Sequence, residues 1–67
     1  MSVAKVSEII SSSSKSSDDA INIGVKRANK TLKNVTSIWI KDQSIDIQKG
    51  KAVKYRVAMK VTFVLND

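Results

Sequence analysis

No cysteine and no histidine occur among the 67 residues of this chain. The first absence excludes disulfide staples and thiolate metal sites. The second removes the commonest general base and the commonest transition-metal ligand. A catalyst built here would have to work with Ser, Asp, Glu, Lys or Tyr alone, in a body near the lower size at which one core sustains itself. The composition points away from enzymes. Long apolar runs are missing as well. No stretch approaches the roughly 20 residues that cross a bilayer, and Met1-Ser2-Val3-Ala4-Lys5 lacks the apolar segment of a secretory signal. The cytoplasm is the expected compartment. Acids are scarce beside bases, six against twelve, leaving a net charge of +6. Such an excess suits nucleic acid, an anionic membrane or a phosphorylated small ligand, and it equally serves solubility.

What is present is alternation. From Val53 to Leu65 the residues Val53, Tyr55, Val57, Met59, Val61, Phe63 and Leu65 fall on every second position, with Lys54, Arg56, Ala58, Lys60, Thr62 and Val64 between them. That is the pattern of a strand with one buried and one polar face. Together with the segment from Val35 it predicts a long β-hairpin turned at Gln48-Lys49-Gly50-Lys51. An arm of about a dozen residues is long beside the usual strand of roughly 5–6. The excess length suggests a surface for other copies of the chain. With a two-residue Lys49-Gly50 turn, residues whose numbers sum to 99 face each other. Ile38 then opposes Val61 and Ile40 opposes Met59 on the core face. On the other face Trp39 opposes Lys60, Lys41 opposes Ala58 and Gln43 opposes Arg56. This arrangement groups Asp42, Ser44 and Asp46 with the core set, and Val35, Ser37, Trp39, Lys41, Gln43 and Ile45 with the open set. A slip of one residue would reverse every facing.

Upstream, Val3 to Ile10 reads as a strand covered on much of both faces, to about residue 11. The run Ser11-Ser12-Ser13-Ser14-Lys15-Ser16-Ser17 reads as a connecting loop whose hydroxyls bond local backbone. Ser16 and Asp19 have the form of a capping box. Asp18 and Asp19 also lie where the helix dipole favours negative charge, so they read as cap residues rather than metal ligands. The helix is expected over about 17–33, with Ala20 or Ile21, Gly24 or Val25, Ala28 and Leu32 inward. Gly24 costs about 1 kcal/mol in mid-helix relative to Ala, which implies close approach to the sheet.

The order strand, helix, strand, strand predicts one α+β domain, a three-stranded antiparallel sheet with a helix on one face. The strands fall at about 3–11, 35–48 and 51–65. The second face has no cover. Such a half-open sheet invites association, and a closed symmetric homo-oligomer is the natural outcome.

The ordered set Lys5-Val6-Ser7-Glu8-Ile9-Ile10, Ser16-Ser17-Asp18-Asp19-Ala20-Ile21, Ala28 to Asn34, Asp42-Gln43 and Tyr55 to Leu65 resembles the dodecin family over nearly the whole chain. The resemblance implies a hollow spherical homododecamer, four trimers with their sheets turned inward, so that the open face lines an interior. It also implies sequestration or storage of flavins, riboflavin or FMN, without catalysis. In flavin-binding members a Trp stacks on the isoalloxazine and a Gln on the third strand bonds its polar edge. Here those positions align with Ser37 and Arg56. The resemblance therefore implies weak or absent flavin affinity. At Ser37 the chain is similar to the minority of the family linked to calcium.

The candidate ligand residues are Ser37, Trp39, Gln43, Arg56 and Lys60. Trp39 lies two residues from Ser37 and should share its face. There it is either a displaced stacking platform, with Arg56 offering charge, or an anchor between subunits. Calcium takes six to eight hard oxygen ligands. Glu8, Asp18, Asp19, Asp42, Asp46 and Asp67 show no calcium-loop spacing, which leaves a site shared across a symmetry axis through Asp42 or Asp46. The rival from another class is a nucleic-acid module, with Trp39 among Lys41, Lys54, Arg56 and Lys60 as a platform for single strands. Only one aromatic lies on that face.

Overall fold

The computed structural model describes residues 3–65. Its elements are β1 (Val3–Ser13), α1 (Ser17–Thr31), β2 (Val35–Gln48) and β3 (Lys51–Leu65). Both outer strands run antiparallel to β3, which lies in the middle in the order β1-β3-β2. This is the expected α+β arrangement. The central place goes to the strand whose alternation is cleanest. Val57, Met59 and Val61 are completely buried beneath the helix.

The helix starts where its cap predicts. Ser16 is extended, and its hydroxyl accepts from the Asp19 amide at 3.0 Å. The reciprocal half of the box is diverted, because the Asp19 carboxylate instead accepts from Ser13 Oγ at 2.6 Å. That contact ties the helix start to the end of β1. The expected Ser-rich loop is correspondingly shorter. Ser11, Ser12 and Ser13 belong to β1, and alternate hydroxyl residues Ser11 and Ser13 are buried on the helix side.

At its other end the helix stops at Thr31, two residues before the expected end. Leu32 is already extended, and its amide closes onto the Ala28 carbonyl at 2.8 Å. Asn34 turns the chain into β2 with a φ of 61°, a left-handed conformation that Asn tolerates better than most residues. The inward stripe is Ala20, Gly24 and Ala28, all buried. Small residues here let the helix backbone approach the sheet. A Cβ built on Gly24 would lie 2.7 Å from Met59 Cε and 3.3 Å from Ser11 Cβ.

The hairpin turns as expected at Lys49-Gly50, with φ of 52° and 76° and Gln48 opposite Lys51. These angles suit the left-handed two-residue turn that matches strand twist. Ile38, Trp39 and Ile40 oppose Val61, Lys60 and Met59, also as expected. The rest of the hairpin departs from the uniform register. Irregularities fall between Val35 and Ser37, between Ile40 and Asp42, and between Asp46 and Ile47. The second is decisive. Lys41 is the extra residue of a β-bulge, so Asp42 opposes Ala58, Gln43 opposes Val57 and Ser44 opposes Arg56.

A bulge adds one residue to one strand and exchanges the faces beyond it. Asp42, Ser44 and Asp46 therefore lie on the open face, not the core face. Gln43 and Ile45 move to the helix side, opposite Val57 and Tyr55. The bulge near Val35 likewise pairs that residue with Phe63 on the helix side. A further correction concerns β1. Its open-face residues Val6 and Ile10 are 55% and 70% exposed, so that strand is covered on one side only.

Gly24→Val should lower stability by about 1–3 kcal/mol, the usual penalty for forcing extra volume into a packed contact. A urea titration checks it, the midpoint falling at unchanged slope. An unshifted midpoint would mean the helix does not sit this close to Met59.

Candidate functional site

The open face is ordered by cross-strand rows, since residues directly opposite in adjacent strands present neighbouring side chains. Val6, Thr62 and Ser37 form one row, and Glu8, Lys60 and Trp39 the next. Ile10, Ala58 and Asp42 follow, then Ser12, Arg56 and Ser44. Of the candidate ligand residues, Ser37, Trp39, Lys60 and Arg56 thus share a face. Gln43 does not, because the Lys41 bulge sends it to the other side.

Trp39 is 71% exposed. The Lys60 ammonium stands over its ring, 5.9 Å from the centroid, within the range of a weak cation–π contact. Arg56 is four residues from Lys60 along β3, about 13 Å at the usual strand rise. Its guanidinium is held by Asp46, Nη2 to Oδ2, at 2.6 Å. The bulge creates that pair by bringing Asp46 to the open face.

A second pair was hidden from the sequence. Lys41 Nζ reaches across β3 to Glu8 Oε1 on β1, at 2.7 Å. The hydrogen bond from Lys41, and then its charge, hold the Glu8 carboxyl below its ordinary 4.5, with Lys60 adding a smaller pull. The same contact holds the Lys41 ammonium above its ordinary 10.5. Finding this strut from sequence would require both the β1–β3 register and the bulge.

Metal ligation has little to work with. Among the described residues no three acidic side chains gather in one place. Asp46 is engaged by Arg56 and Glu8 by Lys41, while Asp42 accepts only from the neighbouring Gln43 amide at 3.1 Å. Asp18 and Asp19 belong to the helix start, and Asp67 lies outside the described residues. A groove of about 600 Å³ between α1 and β1 is lined by residues such as Ile9, Ile23 and Arg27. It includes none of the candidate residues. No helix among the described residues is long and apolar enough to cross a membrane.

The family model for dodecin matches residues 3–66. The fold is similar to that of an arginine-to-alanine variant of the Thermus thermophilus dodecin, with 27% identity, full coverage of both chains and a TM-score of 0.94. The Streptomyces davaonensis dodecin is 29% identical over 98% of this chain and 97% of its own, with a TM-score of 0.92. A calcium dodecin from Mycobacterium tuberculosis, described as calcium-chelating with a novel calcium-binding site, is 25% identical. The overlap spans 96% of this chain and 91% of that one, at a TM-score of 0.82. No curated protein sequence matches significantly.

The Glu8–Lys41 strut makes a pH prediction. A carboxyl lowered by folding contributes stability above its unfolded value and loses it as pH falls through the folded one. A raised ammonium contributes below its unfolded value and loses it as pH rises through the folded one. The pair is complete between those limits, spanning neutral pH. In an NMR titration the Glu8 carboxyl should titrate below 4.5. Glu8→Gln should return Lys41 toward its ordinary value with no measurable change in unfolding midpoint, since both groups are exposed and screened. A Glu8 that titrates at its ordinary value would show that the strut does not form.

Proposed function

The chain belongs to the dodecin family, and on that premise we propose that it closes into a hollow homododecamer whose open face lines the interior. The shell holds a flat, anionic small ligand and carries out no chemistry on it. The observation that carries this reading is Trp39, a bare aromatic ring on the open face with the Lys60 ammonium beside it. Aromatic rings stack on such a platform, and a cation at its edge favours a negatively charged guest. Storage rather than turnover fits a face that holds neither histidine nor cysteine.

The fit to a flavin, the ligand the family implies, is partial. Trp39 supplies a stacking surface one row from Ser37, where flavin-binding members carry their tryptophan. Arg56 stands where those members use a glutamine. It is a cation instead of an amide, it is held by Asp46, and it lies about 13 Å along the strand from the Trp39 row. It cannot bond the edge of a ring stacked on Trp39 in the same subunit. When bound, a flavin would be stacked and shielded, with Arg56 and Lys54 near a charged tail. We therefore assign this protein weak flavin affinity, with any preference going to FMN over riboflavin because FMN brings the negative charge.

Calcium is the second reading, motivated by the similarity at Ser37 and by the calcium dodecin among the solved structures. It is less well supported. Two of the three acids on the open half of this sheet already carry a cation partner, and only Asp42 is left for a site shared across an axis. A nucleic-acid module would need the face to remain open to a polymer. A mass near twelve subunits disfavours that reading, and a monomer revives it.

Titrating riboflavin and FMN while following flavin fluorescence tests the assignment. The expected outcome is shallow quenching without a sharp stoichiometric break, somewhat stronger for FMN. Trp39→Ala should remove most of it. Strong stoichiometric quenching by riboflavin would overturn the reading of Ser37 and Arg56.

A further inference from the structure

The groove between α1 and β1 exists because the helix lines it with Gly24 and Ala28, which carry too little side chain to fill it. Its walls are aliphatic, formed by residues such as Ile9, Ile23 and Leu32. The volume, about 600 Å³, falls within the roughly 300–1,000 Å³ of small-molecule sites. Ile23 is 45% exposed, so apolar surface is open to a guest. Among the described residues that line the groove there is no aromatic ring and no acid.

Two polar groups decide which guest fits. Ser11 lies beside Gly24, where a built Cβ would come within 3.3 Å of the serine Cβ. Its hydroxyl is enclosed and finds no hydrogen-bond partner among the described residues. Such a hydroxyl is uncommon, because nothing replaces the hydrogen bonds it made to water. The other group is Arg27, three residues beyond Gly24 on α1. It lines the groove, is exposed, and is in no ion pair among the described residues. Lys26 and Lys30 stand exposed on the same helix, while its acids Asp18 and Asp19 lie back in the first turn. The field at the groove is positive.

We propose that this groove binds a small aliphatic carboxylate, with the chain along Ile9, Ile23 and Leu32 and the head between Arg27 and Ser11. The guanidinium presents paired donors matched to a carboxylate. The Ser11 hydroxyl, turned to the head by a change of χ1 rotamer, gains the acceptor it lacks within the fold. Aliphatic walls suit a flexible chain rather than a flat ring, which separates this guest from the one assigned to Trp39. Neither Trp39 nor Lys60 lines the groove, so the two sites stand or fall independently.

Isothermal titration calorimetry with octanoate, octanol and octylammonium tests the assignment, with circular dichroism confirming the fold of each variant. Octanoate should bind saturably, one per chain, with a Kd below about 1 mM. It should bind at least about tenfold more tightly than the alcohol or the cation, the size of one charge-assisted contact. Arg27→Gln, a change at an exposed position, should remove that tenfold advantage. Ser11→Ala should weaken octanoate a few-fold, and Trp39→Ala should leave it unchanged. No saturable binding, octanol bound as tightly as octanoate, or an R27Q variant with wild-type affinity would each overturn the proposal. Affinity lost in W39A and kept in R27Q would assign the acid to the open face instead.

Discussion

The whole structure depends on how closely α1 lies against the middle strand. Val57, Met59 and Val61 of β3 are fully buried, the helix presents Ala20, Gly24 and Ala28 as its buried residues, and Ile9, Ile21, Ile38 and Ile40 pack against the cluster of Ala20, Val57 and Met59. Large side chains project from the sheet and small ones face them from the helix. At this stripe the packing distance is therefore set by backbone approach. At Gly24 the Met59 side chain already occupies the space a Cβ would need. Five fully or nearly buried apolar residues among those described make a small core for a chain of this length. A core so small leaves little stability to spare.

The second constraint is the extra residue at Lys41. A strand normally carries two independent sets of side chains, one for each face. One inserted residue exchanges those sets for the rest of the strand. In this chain the exchange moves Asp42, Ser44 and Asp46 onto the open face and removes Gln43 from it. The open face becomes less purely basic than the sequence suggests, because each of two cations now has an acid partner across the sheet. Those pairs are exposed and contribute little to stability. They leave Lys60, beside Trp39, as a cation of this face with no acid bound to it among the described residues.

The proposed function rests on the two faces being unequally finished. The helix side is closed over the middle of the sheet and bare toward the hairpin turn. The open side exposes Val6, Ile10 and Trp39 next to charged groups. Mixed apolar and charged surface of this extent is unusual for a protein that works alone and ordinary for one subunit of a shell. In the proposed shell the ring of Trp39 would meet an enclosed space rather than bulk water, where stacking and charge both act more strongly on a guest.

Much of this was legible in the chain itself. Alternation through Val53 to Leu65 located the third strand and its buried side. Ser16 and Asp19 determined the helix start, Lys49-Gly50 the turn, and the turn in its place aligned Ile38 with Val61 and Trp39 with Lys60. These are local signals, each carried by residues within a few positions of one another. The bulge at Lys41, the pairing of Glu8 with Lys41, and the strand order were decided only by the tertiary structure. Each depends on which backbone groups find partners across a sheet whose twist and cover come from elements far apart in sequence. A period of two locates a face, but it cannot count an extra residue that the partner strand, rather than the strand itself, leaves unpaired.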